Sequence, residues 1–150
     1  MVVSYDTFTG GFLSKISEYD LLEIKEATRT QIIDGYMKKA ISQFQRICKV
    51  NLVSTANDED REFELDLKDG DDLIEIVDIV TDGMVVYWLK PYTYKQELLE
   101  LVLNTRDYTT YSPAEMLRRV GEAYTKAQSD FTSAMREYSY NHNDLTRLHL

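Results

Sequence analysis

The side chains most able to do chemistry in this chain are carboxylates. Twelve acidic residues lie between Asn57 and Asp82 against only Arg61 and Lys68, so this segment outweighs the whole net charge of −9. Carboxylates at that density could hold calcium or supply an acid–base pair for hydrolysis. The calcium reading fails on spacing, because Asp66, Asp69, Asp71 and Asp72 lack the alternation and the closing Glu of an EF-hand loop. The hydrolytic reading lacks a partner: nothing in the sequence singles out one carboxylate pair, and neither histidine is near these residues along the chain. His142 and His149 could touch nickel or zinc, but histidines at a surface are the far commoner case. Cys48 is the single cysteine, which excludes an intrachain disulfide and a cysteine-rich zinc site, and its apolar neighbours predict a small core residue. There is no glycine-rich phosphate loop, no Gly-x-Ser-x-Gly elbow and no His-Glu-x-x-His. The expectation is a protein that is not an enzyme, with no cofactor and no bound metal.

The same charge balance argues against a conventional DNA-binding domain, which needs a basic footprint to neutralise phosphates. It fits a solvated face, a meeting with a basic partner, or a surface that must not adhere to nucleic acid. Tyrosine points more directly to a role. The chain has 11, among them Tyr108, Tyr111, Tyr124, Tyr138 and Tyr140. Tyrosine offers large, rigid contact area with a polar tip, which suits either an interface or the rim of a helical core.

The elements that must position these groups read as mainly α, a helical bundle in a single domain, residues 1–150. Met1 to Tyr19 predicts an N-terminal arm or loosely helical segment, since Gly10 and Gly11 sit among Phe8, Phe12, Leu13 and Ile16. Asp20 with Glu23 resembles a capping box, and Leu21 to Cys48 is helical with a break near Thr28 to Thr30. Arg61 to Leu67 alternates apolar and acidic residues, which predicts a short extended or β segment. With no strong second strand visible, it is expected to stand alone or to be completed by another subunit. From Leu73 the apolar residues Ile76, Val77, Val80, Met84, Tyr87 and Trp88 fall on one helical face. A hairpin turning at Asp82-Gly83 is the alternative. Pro91 is expected to end the element at Lys90. Gln96 to Leu103 predicts another helix.

A long C-terminal helix carries the strongest local signal. Ser112, Pro113 and Glu115 occupy N-cap, N1 and N3, a capping box with proline in the first helical position. Leu117, Val120, Tyr124, Ala127, Phe131, Ala134 and Tyr138 then form a heptad-like seam of small and aromatic residues. A helix of roughly 28 residues would run about 42 Å. The expected fillers of the seam are the chain's own helices, over Ile33 to Ile47 and Leu73 to Leu103. No apolar run reaches membrane-spanning length, and the N-terminal residues lack the charged-then-apolar signal pattern. The expected place is the cytosol of the host cell, or something assembled there.

Gly83 to Pro91, Leu98-Leu99, Asn104 to Tyr108, Tyr111 to Ala114, Tyr138 to Tyr140 and Asn143 to Leu145 together resemble head-tail connector, adaptor or neck proteins of tailed bacteriophages. The resemblance spans about Asp20 to Leu148 and is carried by scattered residues. It implies a mostly helical virion protein at the capsid vertex. Such proteins form a homo-oligomeric ring, commonly of twelve copies, under the portal protein, meet stopper or tail proteins below, and let DNA pass through the lumen. It also implies extended terminal arms, with Ser139 to Leu150 as a portal-docking tail in which Tyr138, Tyr140, Leu145, Leu148 and Leu150 are the candidate contacts. The acidic segment matches no standard feature of that class. Asp58, Glu59, Asp60, Glu62, Glu64, Asp66, Asp69, Asp71 and Asp72 are candidates for a lumen face that repels phosphate. The competing reading is a soluble helical interaction module that binds a basic protein through residues 58–82.

The capping box makes a prediction at the level of sequence. Ser112→Ala is expected to cost about 1 kcal/mol of stability as a lost cap. Urea denaturation measures it, and an unchanged midpoint would show that Ser112 caps nothing.

Overall fold

The computed structural model describes residues 1–17, 30–67, 70–94 and 113–142. In chain order these form β1 (Val2–Ser4), α1 (Tyr5–Ile16), α2 (Thr30–Cys48), β2 (Val53–Asn57), β3 (Glu62–Leu65), α3 (Gly70–Tyr94) and α4 (Pro113–His142). The fold is mainly α, with a small antiparallel sheet in the order β1-β3-β2 and a long C-terminal helix. The helix expected over 96–103, the capping residue Asp20 and the segment 143–150 lie outside the described residues.

The N-terminal residues are not an arm. Ser4, in extended conformation, caps α1 by accepting from the Asp6 amide at 3.2 Å. Tyr5, Phe8, Phe12 and Ile16 are buried along one side of α1. The spacing of these aromatics outweighs the roughly 1 kcal/mol that each glycine costs inside a helix. Gly11 has a packing reason: a Cβ there would lie 3.1 Å from Thr81 Cγ2, so its absence lets α1 come close to α3.

The alternating segment is the central strand of the sheet, paired on both sides within the same chain. Val3 and Ala56 both stand opposite Phe63, and a register shift falls between Val53 and Thr55. Its partners escape a pattern search because β1 has three residues and β2 is almost wholly exposed. Alternation puts Phe63 and Leu65 inward, where Phe63 meets the rings of Tyr5 at 4.4 Å and Phe8 at 5.9 Å.

Residues 73–90 are helix, and the helix does not stop at Lys90. The high β-branched content reflects burial rather than strand. Ile76, Ile79, Val80, Met84, Val85, Val86, Trp88 and Leu89 are all buried, so α3 is apolar nearly all round, as a central helix is. It packs against α4, α2 and α1. Thr81, buried within it, donates its hydroxyl to the Val77 and Asp78 carbonyls. Pro91 removes one N–H near the end of the helix, where few bonds remain to lose, and the chain stays helical to Tyr94. Thr93 donates its hydroxyl to the Lys90 carbonyl there.

α4 begins at Pro113, the position expected for its first residue, and the expected cap Ser112 lies outside the described residues. Its seam is buried at Val120, Ala127, Phe131 and Tyr138 and half-buried at Leu117, Tyr124 and Ala134, with Met135 buried beside it. Met37, Ala40, Ile41 and Phe44 are buried along α2, and the Phe44 ring meets Tyr138 of the seam. α2 ends in a Schellman turn: Lys49 has φ 54° and the Val50 amide donates to the Gln45 carbonyl at 3.2 Å.

α3 and α4 approach closely at Gly83. A Cβ there would stand 2.6 Å from Cζ of Phe131. Gly83→Ala is therefore expected to destabilise the protein by about 1–3 kcal/mol through overpacking. In a denaturation series, Phe131→Leu should cost less in the Gly83→Ala background than alone. Strict additivity of the two would contradict the contact.

Candidate functional site

The acidic segment does not form one surface. It divides between the β2–β3 hairpin and the first half of α3, and among the described residues several of its carboxylates meet a specific partner.

The hairpin carries Asp58, Glu59 and Asp60 in its turn, Glu62 and Glu64 on β3, and Asp66 just after it. Asn57 builds the turn by accepting the amides of Glu59 and Asp60 at 3.1 and 3.2 Å. Arg61 closes it in the left-handed region, φ 52°. Its guanidinium forks onto Asp34 of α2, Nε to Oδ2 at 3.1 Å and Nη2 to Oδ1 at 2.8 Å, and also reaches Asp6 of α1 at 2.7 Å. These hydrogen bonds hold Arg61 firmly in its charged form. Asp58 accepts from Lys38 at 2.8 Å and from the Tyr5 hydroxyl at 2.7 Å, and the Lys38 bond leads in lowering its pKa. Burial and the bond to Asp58 push Tyr5 up to about 12. This network fastens the hairpin to α1 and α2, and its partners are neutralised rather than poised for proton transfer.

On α3, Asp78 and Asp82 share Lys15 of α1, at 2.8 and 2.7 Å. Lys15, Asp82, Val85, Ala123, Lys126, Ala127 and Asp130 line a shallow groove between α1, α3 and α4. Burial raises the pKa of Asp82, Lys15 opposes that, and Asp78 and Asp130 add to it.

The third cluster joins the start of α3 to the end of α4. Asp72 and Glu75 lie one turn apart on α3, and His142 Nε2 stands 3.7 Å from Asp72 Oδ1 and 3.7 Å from Glu75 Oε2. The ring stacks on Tyr138, centroids 4.0 Å apart and planes 13° apart. Its Nδ1 lies 3.0 Å from the Tyr138 carbonyl oxygen, which can only accept, so Nδ1 carries the proton and Nε2 faces the carboxylates. Three ligand atoms of the kinds that hold metals therefore lie within 4.8 Å of one another. A histidine does stand beside the acidic segment, contrary to the reading along the chain. Sequence separation hides it, although an Asp-x-x-Glu pair at the start of a helix is visible in the residues.

The residues expected to dock divide sharply. Tyr138 belongs to the core: it is 7% exposed and its ring meets Phe44 at 5.0 Å, edge to face. Burial leads in raising its pKa, with Asp72 and Glu75 adding. Tyr140, two positions on, points the other way and is 79% exposed. Leu145, Leu148, Leu150 and Asp69 lie outside the described residues. Asp71 lies in the first turn of α3. Cys48 is buried, with Sγ 3.5 Å from the Met135 carbonyl oxygen, and burial pushes its thiol up to about 11, which keeps it unreactive. No family model matches the chain, and neither a curated protein nor a solved structure matches it.

The Lys15 site yields a pH-dependent expectation. In Lys15→Met, Asp82 loses the cation that opposes burial, so its folded-state pKa rises further above the unfolded value. An acid with a raised folded pKa favours folding when protonated and loses that contribution as pH rises through the folded pKa. The variant should thus be less stable than the parent at about pH 7, with a deficit that shrinks towards about pH 4. Thermal melts across that range measure it; a deficit independent of pH would show that Asp82 is not the group left exposed.

Proposed function

We propose that the chain is a structural adaptor of a tailed-bacteriophage particle. Copies close a ring between the portal and the stopper or tail, with DNA passing through the lumen. The observation that carries the reading is an open sheet edge. In the order β1-β3-β2, strand β2 has no partner on its outer side among the described residues, and Ser54 to Asn57 are exposed. An open edge is a template for pairing with another chain. A ring needs a second, different surface to meet the first. The helix ends that carry Ile74, 71% exposed, and Tyr140 supply one. The two surfaces are distinct along α2, because the hairpin turn reaches Asp34 and Lys38 whereas α4 reaches Phe44 near its last turn.

The lumen is the place proposed for the exposed carboxylates Glu59, Asp60 and Glu62 of the hairpin. Fixed negative charge there would repel phosphate and let a duplex slide. Among the described residues no helix is long and apolar enough to cross a membrane, which accords with a role inside a particle.

Native mass spectrometry of the chain, alone and mixed with the portal protein, tests the reading. A closed oligomer alone, or one that forms on the portal, is expected. A monomer under both conditions would overturn it and favour an interaction module for a basic partner. Truncation probes the proposed tail. Because α4 runs to His142, the cut belongs at Asn143 rather than Ser139. Loss of 143–150 should leave the melting temperature unchanged and abolish portal assembly. Early melting would make those residues part of the core, and undiminished assembly would remove them from the docking role.

A further inference from the structure

The geometry points to a divalent transition-metal site formed by Asp72, Glu75 and His142, with zinc as the cation of fitting chemistry. A plain ion pair accounts poorly for the arrangement. A histidine that bonds a carboxylate brings nitrogen and oxygen to about 2.7–3.2 Å. Here Nε2 lies at 3.7 Å from each of two carboxylates, equidistant from both. Equal spacing at that range suits a cation between them. In a tetrahedral zinc site with ligands at about 2.0–2.2 Å, neighbouring ligand atoms stand roughly 3.3–3.6 Å apart. All three side chains are partly exposed, so small rotations close the remaining gap.

The support behind the histidine is independent of the carboxylates. A ligating histidine generally donates its second ring nitrogen to a backbone carbonyl or a carboxylate, which fixes the tautomer and aims the lone pair. His142 does this through Nδ1 to the Tyr138 carbonyl, with its ring held flat on Tyr138. Tyr138 is in turn locked into the core against Phe44. Asp72 and Glu75 are spaced i,i+3 on one helix and the histidine comes from another, a division of ligands common to metal sites between bundle helices. The end of α4 also carries the negative end of its helix dipole, which favours a cation there. The imidazole selects zinc, cobalt or nickel over calcium and magnesium, and water would complete the coordination. A bound ion would clamp the first turn of α3 to the last turn of α4. The site stands whether or not the chain forms rings.

The test is a calorimetric titration of the full, chelator-treated chain with zinc, with native mass spectrometry for stoichiometry and cobalt as a spectroscopic probe. One ion per chain is expected, with strong visible cobalt bands of four-coordinate geometry. His142→Ala should weaken binding by at least about a hundredfold, beyond what removing a mere supporting residue costs. Glu75→Gln should weaken it too and serves as the test if His142→Ala does not fold. His149→Ala should leave binding unchanged. The site is refuted if zinc does not bind at micromolar concentration, if binding survives His142→Ala, or if it depends on His149. It is also refuted if calcium or magnesium binds as tightly as zinc.

Discussion

A helix that is apolar over most of its circumference must find a neighbour for each buried face, and that constraint shapes this molecule. α3 buries Ile76, Val80, Met84, Trp88 and Leu89 almost completely, and α1, α2 and α4 all rest on it. At Gly83 the ring of Phe131 occupies the space a side chain would take. That contact sets how near α4 comes and hence where the C-terminal half of α4 lies. Gly11 against Thr81 plays the same part for α1. Trp88, fully buried, meets Phe12 edge to face at 6.1 Å and links the N-terminal helix to the centre.

Charge is handled around this apolar axis rather than within it. Several of the carboxylates are tied down by a few cations from different elements: Arg61 of the hairpin turn, Lys38 on α2 and Lys15 on α1, while the His142 imidazole on α4 faces Asp72 and Glu75. Pairs this exposed add little stability one by one. Their value lies in position, since they fix the hairpin on α1 and α2 and draw the ends of α3 and α4 together.

What was legible in the residues follows from how local each cause is. The start of α4 is written in a short local signal, Ser112, Pro113 and Glu115, and the seam after it in the 3–4 spacing of Leu117 to Tyr138. The helical state of α3 was readable only against a hairpin alternative, because its β-branched residues and Asp82-Gly83 are ambiguous until burial on all sides is known. The sheet was half legible. β3 alternates, but β1 and β2 are strands only because β3 lies between them. The N-terminal helix was obscured by two glycines, of which Gly11 serves a contact with Thr81 that lies far away along the chain. The seam periodicity carried Tyr138 and left Tyr140 off it, and Phe44 on α2 shows why Tyr138 belongs to the core rather than to a docking surface. The cluster of Asp72, Glu75 and His142 joins residues far apart in sequence, and only its Asp-x-x-Glu half is visible locally.

Taken together, the molecule has the parts an assembly component needs: a rigid apolar axis, an open strand edge, and a separate exposed end at Ile74 and Tyr140. Its charges are committed to structure or left on the surface. We propose that this chain works as a layer of a particle. The most direct measurement is an electron-microscopy image of the particle vertex with the protein carrying a bulky label. The account predicts label density in a closed ring between the capsid portal and the tail. Particles without label at the vertex, or label scattered over the capsid, would contradict it.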